Sequence, residues 1–197
     1  MKRVITHEDA YELFDYLKGK TISLVGNAQS LLDREYGKDI DSSDVVMRIN
    51  RGYPIHYTSQ GIKTNVVWMN NRFVGDKVLP DYLKLNKFFY YVLQGGNSKN
   101  EIESCLIKGD LFNWKDVWED HKPQMKKMPS QGFVIIYLLY KKIDCNLKIF
   151  GFDFQKTKTQ IPRQDLFVNR IESPHDFESE EYFVNRMIKE RGWNLYQ

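Results

Sequence analysis

Two apolar runs, each closed by an asparagine, constrain this chain more than any other feature. Thr21-Ile22-Ser23-Leu24-Val25 leads into Gly26-Asn27, and Asp44-Val45-Val46-Met47-Arg48-Ile49 leads into Asn50-Arg51-Gly52-Tyr53-Pro54. Short apolar runs closed by turn residues read as strands. Open α/β sheets bind ligands in the crevice beyond the carboxyl ends of their strands. Amides placed there face a small molecule rather than the core.

The rest of the chain fits that plan. Tyr11, Phe14 and Leu17 share one face of an opening helix expected from His7 to Leu17, with Gly19 to end it. Strands are expected at 21–25, 44–49, 65–69, 87–93 and 147–150, separated by helical or loop segments. Ser130-Gln131-Gly132 opens a helix over 133–140 that is apolar on nearly every side and therefore buried. A last helix is expected from Phe177 to Glu190, capped by Asp176 or Ser179 and stopped by Gly192. Strands alternating with helices give an α/β class, a mostly parallel sheet flanked by helices. Residues 95–100 and 155–172 carry turn composition and little periodicity, the character of a binding loop or lid. No repeat or linker divides residues 1–197, so one domain is expected.

Composition narrows the partners. A net charge of +3 suits a phosphorylated or carboxylated ligand but falls short of a basic stripe that would bind nucleic acid. Cys105 and Cys145 are too few for a disulfide framework or a four-ligand zinc site, which points to a reducing cytoplasm. Neither a signal peptide nor a spanning helix is read in the sequence. His7, His56 and His121 have no metal-ligand spacing and read as surface or packing histidines. Asp41 and Asp44 form an acidic pair before a strand, and the plainer reading is that they bond turn amides rather than a metal.

By itself Gly26-Asn27-Ala28-Gln29-Ser30 is a weak anion-loop signal, lacking the spacing of either common phosphate loop. The blocks that follow in order make the pattern specific. Val25-Gly26-Asn27, Gly37-Lys38-Asp39-Ile40-Asp41-Ser42-Ser43-Asp44 and Val46-Met47-Arg48-Ile49-Asn50-Arg51-Gly52-Tyr53-Pro54 resemble the long sialylmotif of the sialyltransferases, with Gly61-Ile62-Lys63-Thr64 trailing it. Pro129-Ser130-Gln131-Gly132, the apolar helix and Leu147-Lys148-Ile149-Phe150-Gly151-Phe152 resemble the short motif. Ser173-Pro174-His175-Asp176-Phe177-Glu178-Ser179-Glu180 resembles the very short motif, a histidine with a glutamate five residues on. The resemblance spans residues 21 to 183, with the middle third unmatched.

The resemblance implies a Rossmann-like, GT-A-type domain that uses a CMP-activated sugar as co-substrate, needs no metal or other cofactor, and inverts the anomeric carbon. By position, Gly26, Asn27, Ala28, Asn50 and Arg51 would hold the CMP moiety, with Gly151, Phe152 and Asp153 beside them. Ser130 and the amides of Gln131 and Gly132 would meet its phosphate or the donor carboxylate, where a helix start carries about half a positive charge. His175 would be the general base that deprotonates the acceptor hydroxyl, since imidazole titrates near working pH and can be oriented by a neighbouring carboxylate. Glu180 lies a helical turn further on and is not taken as that orienting group.

The sequence also departs from the family pattern. Secreted eukaryotic members join their long and short motifs by a disulfide; here the long-motif position is Thr21 or Ile22, so Cys145 has no partner, as suits a bacterial or phage enzyme. An aromatic and histidine motif between the short and very short blocks is missing, and Arg163 or Arg170 in that stretch are its stand-ins for phosphate contact. Gly151-Phe152-Asp153-Phe154 is also like a segment of the membrane-associated bacterial sialyltransferases. Sialic acid transfer to a glycan or lipid-linked saccharide is the first reading, at the inner face of the membrane if peripheral. CMP-Kdo as donor, a CMP-binding domain without catalysis, and a polymer-binding domain remain as alternatives. The acceptor is not legible.

Overall fold

A computed structural model describes residues 3–4, 10–50, 52–70, 90–94, 119–121, 123–159 and 173–197. In chain order these form β1 (Arg3–Val4), α1 (Ala10–Leu17), β2 (Thr21–Val25), a 3-10 turn (Gln29–Asp33), α2 (Gly37–Asp41), β3 (Val45–Ile49), α3 (Tyr57–Gln60) and β4 (Val66–Asn70). β5 (Tyr90–Gln94), α4 (Gln131–Lys142), β6 (Asn146–Phe150), α5 (Phe177–Arg191) and β7 (Asn194–Tyr196) follow. The strands make one sheet in the order β1-β5-β4-β3-β2-β6-β7, and every neighbouring pair is parallel.

Burial explains why the central strands are apolar without alternation. All five residues of β3 are buried, as are Ile22 to Val25 of β2. Ile22, Leu24, Val45 and Met47 belong to a large core with Leu13 and Leu17 of α1 and the apolar length of α4. Val25, Val46 and Phe150 point the other way, into a smaller core with Leu31 and Ile40. A serine survives between these layers because it has a partner: Ser23 Oγ lies 2.8 Å from Ser43 Oγ.

The described elements follow the sequence expectations closely and add to them. β1, β7, α2, α3 and the 3-10 turn were not expected, being too short for periodicity to register. Residues 7–9, 87–89, 95–100 and 160–172, which complete the expected first helix, fourth strand and two irregular stretches, lie outside the described residues. α5 is capped by Asp176, whose carboxylate accepts from Ser179 N at 3.3 Å, and Gly192 ends it at φ 67°. Among the described residues no helix is long and apolar enough to cross a membrane.

This topology fixes where a ligand can sit. From β2 the sheet grows through β3, β4 and β5 to one side, whereas β6 leads to β7 on the other. The adjacent strands β2 and β6 therefore flank the switch point, where diverging connections leave a crevice at the carboxyl edge. Helices that precede parallel strands run back along them, so α4 and α5 both begin at that edge.

Candidate active site

The crevice floor is made by two loops in close contact. Val25 pairs with Phe150 at the last step of the β2–β6 ladder, and Gly26 N then donates to Phe150 O at 2.7 Å and Ala28 N to Gly151 O at 3.1 Å. A side chain at position 26 has no room, because a Cβ there would stand 2.8 Å from the Phe152 ring and overlap the Gly151 carbonyl. The chain after β6 turns sharply: Gly151, Phe154 and Gln155 all take positive φ, at 67°, 54° and 60°. Two consecutive non-glycine residues in that region hold strain that the surroundings must fix.

Asp153 does much of that fixing. Its buried carboxylate accepts from Thr157 N at 2.9 Å, from the Thr157 hydroxyl, and from Ser30 Oγ at 3.3 Å. Gln29 N to Lys158 O at 2.8 Å and Ser30 N to Thr157 Oγ1 at 3.2 Å zip the same two loops together. Expected among the donor contacts, Asp153 directs one carboxylate oxygen into this turn.

Asn27 reaches the residue before Asn50. Its Nδ2 donates to the carbonyl of Ile49 at 3.3 Å, while Asn27 Oδ1 is enclosed with no hydrogen-bond partner among the described residues. Asn50 sits at φ 50°, a left-handed turn that asparagine tolerates, and its amide closes on Trp68 O at 2.8 Å. A Cβ on Gly52 would stand 2.5 Å from Asn27 Oδ1, so glycine lets this turn press against the β2 loop. Arg51 lies outside the described residues.

The start of α4 closes the opposite wall. A Cβ on Gly132 would come 2.5 Å from the Phe152 ring, so one aromatic side chain wedges between Gly26 and Gly132. Ser130 caps the helix, its Oγ accepting from Phe133 N at 3.2 Å. The same residue is gripped from behind: Ser130 N and Ser130 Oγ donate to the two carboxylate oxygens of Glu180, each at 2.6 Å, and Glu180 is only 2% exposed.

His175 stands at the lip. Its Nδ1 lies 2.9 Å from the carbonyl of Met128, two residues before Ser130. A carbonyl only accepts, so Nδ1 carries a proton and a neutral ring keeps its lone pair on Nε2. A carboxylate is the orienting group anticipated for His175; the bond described at Nδ1 is to a main-chain carbonyl, and Glu180 serves Ser130. Further bonds brace the two segments: Lys126 N to Asp176 Oδ2 at 2.8 Å, Lys127 Nζ to Ser173 O at 2.8 Å, and Ser179 Oγ to Gln124 O at 3.3 Å. Burial alone would raise the Asp176 carboxyl, but the Lys126 amide and the Ser179 hydroxyl and amide outweigh it and hold it below the usual range. The loops after β2 and β6 thus pack on each other and on the start of α4, and Met128, two residues before the cap of that helix, holds His175.

The remaining motif residues are framework. Arg48, 1% exposed, donates from Nε to Thr64 Oγ1 at 2.9 Å and from Nη2 to Gln60 O at 2.8 Å and Lys63 O at 3.1 Å. Asp41 accepts from the amides of Ile62 and Lys63 at 3.0 Å each, and Asp44 from Thr21 N at 2.8 Å, so both acids bond amides. Among the described residues no three potential ligands cluster to hold a metal. His121 is packed edge-on against Phe133, Tyr137 and Phe183, and His56 Nδ1 lies 2.9 Å from Ser59 Oγ. Burial pushes the Cys145 thiol up to about 12, leaving it unreactive at neutral pH. Sequence reasoning missed the Met128 carbonyl, which no side-chain pattern reveals, and the Phe152 wedge, whose signal is the paired glycines.

With this geometry in hand, the family model of glycosyltransferase family 29 (sialyltransferase) matches residues 3–110, over half of the chain. The chain belongs to glycosyltransferase family 29. The match ends before α4, so the short and very short blocks rest on the residues themselves. Solved structures of sialyltransferases share the fold across nearly the whole chain. CstII from Campylobacter jejuni in complex with the substrate analogue cytidine-5'-monophosphate superposes with a TM-score of 0.62 at 14% identity, covering 91% of this chain and 79% of that one. A mammalian sialyltransferase in complex with Gal-β-1,3-GalNAc-ortho-nitrophenol gives 0.58 at 13% identity, covering 98% and 80%. CstII with a trisaccharide acceptor and CMP gives 0.59 at 14% identity, covering 90% and 80%. No curated protein matches the chain in sequence.

Proposed function

We propose that this sialyltransferase-family chain moves sialic acid from CMP-sialic acid to a glycan hydroxyl, inverting the anomeric carbon without a metal ion. The observation that carries the reading is that the Gly26-Asn27 loop packs through Phe152 on the start of α4, while Met128, just before that helix, holds the His175 imidazole. The similar structures that hold CMP, and the one that holds CMP with a trisaccharide, support the same donor and acceptor classes.

The chemistry follows from the groups present. Asn27 and Asn50 bind the cytidine end, Asn27 from the loop after β2 and Asn50 from the turn after β3. The phosphate lies at the start of α4, where the amides of Gln131 and Gly132 and the helix dipole stabilise the charge that develops as cytidine monophosphate departs. His175 Nε2 takes the proton of the acceptor hydroxyl as that oxygen attacks the opposite face of the anomeric carbon. Asp41 and Asp44, the acids nearest in sequence to a metal pair, are committed to backbone amides.

A transfer assay with CMP-sialic acid, run with and without EDTA and against CMP-Kdo in competition, tests this. Full activity in EDTA with CMP-sialic acid preferred is expected. Loss of activity on chelation, or preference for CMP-Kdo, contradicts the metal-free or the sialic acid part respectively.

A further inference from the structure

We propose that Glu180 is a positioning residue that governs the Ser130 hydroxyl proton, and by holding that proton keeps CMP from binding too tightly to leave. The inference rests on the reading of the crevice as a CMP site.

A carboxylate is an acceptor only, so the direction of its bonds to Ser130 is fixed. Ser130 N–H goes to one oxygen and the hydroxyl proton to the other, both at 2.6 Å, while Phe133 N takes a lone pair of the same hydroxyl at 3.2 Å. A hydroxyl has one proton. With Glu180 in place Ser130 therefore has none to offer an anion at the start of α4, although it stands at the cap of that helix. A negative group behind a helix start also opposes an anion in front of it. Both effects lower affinity for the phosphate, so Glu180 is not there to strengthen donor binding. It joins the start of α4 to α5, the helix that begins just after His175, and so sets the donor end against the base. It does so at the cost of one phosphate contact. CMP is the product as well as the leaving group, and grip on a product slows its release.

Calorimetry with CMP on the full chain tests this with Glu180→Gln. The glutamine oxygen still accepts from Ser130 N, but its amide can only donate to Ser130 Oγ, which frees the hydroxyl proton for the crevice. One gained hydrogen bond is worth roughly a tenfold change in affinity. E180Q is expected to bind CMP about tenfold tighter than the parent, with kcat and donor KM falling together. Binding of cytidine, which lacks the phosphate, should not change, and adding Ser130→Ala to E180Q should remove the gain. A folded E180Q that binds CMP no tighter than the parent overturns the inference while leaving the CMP site intact. A parent chain that does not bind CMP at all overturns the reading of the crevice itself. Should E180Q not fold, a crystal structure of the parent with CMP decides: Ser130 Oγ still on Glu180 supports the inference, and Ser130 Oγ on a phosphate oxygen overturns it.

Discussion

Arg48 is the clearest case of a residue whose place in a motif and whose chemistry are different matters. Enclosed by the sheet, its guanidinium spreads over Thr64 Oγ1 and the carbonyls of Gln60 and Lys63. It thus holds the segment between α3 and β4 in shape. Asp41 secures the same segment from the other side through the amides of Ile62 and Lys63, and Lys63 Nζ reaches Ser43 O at 2.5 Å. Lysine at position 48 would keep the charge but not the planar fork. R48K is therefore expected to cost roughly 3 kcal/mol of stability, measured by urea unfolding, with little change in CMP affinity per folded molecule. Loss of CMP affinity without loss of stability would instead make Arg48 a ligand-binding residue.

At the scale of elements, α5 depends on a cap that is sensitive to acid. The Asp176 carboxyl is held below its ordinary value, so its contribution to stability is fully present above the unfolded value of about 4 and disappears as pH falls through the folded one. Asp176→Asn leaves one acceptor oxygen where both now accept, from the Lys126 amide and from Ser179, and is expected to cost about 1 kcal/mol near neutral pH. The gap between parent and D176N in thermal melts should narrow below about pH 4; a gap that stays constant down to pH 2 contradicts the assignment. The elements themselves were legible to very different degrees. β2, β3, β6, α4 and α5 could be read because burial on both faces, or a capped apolar run, leaves a local pattern. The candidate site residues could be read as far as strand ends and a helix start betray them: Gly26 and Gly132 lie on either side of Phe152, and Asn27 reaches the residue before Asn50. What could not be read is long-range. Glu180 finds Ser130 fifty residues away, and His175 is oriented by a backbone carbonyl, and neither pairing leaves any periodicity behind. β7 and β1 add edges to the sheet with three and two residues, fewer than a pattern needs.

For the molecule as a whole, the order of seven parallel strands puts the switch point between β2 and β6 and brings both helix starts to the same edge. That arrangement brings three blocks scattered along the sequence to one edge: each supplies residues that follow a strand or begin a helix there. The Phe152 wedge joins the Gly26-Asn27 loop to the start of α4, and further bonds tie residues 124–130 to 173–180, where His175 lies. On the function proposed above, the crevice holds the cytidylate while the His175 imidazole does the proton transfer. His175→Ala, compared with the parent for both CMP affinity and sialyl transfer, tests it most directly. The account predicts CMP binding within a fewfold of the parent and a fall in kcat of about two to four orders of magnitude, the usual worth of a general base. An unchanged kcat, or a loss of CMP binding that accounts for the whole effect, would contradict it.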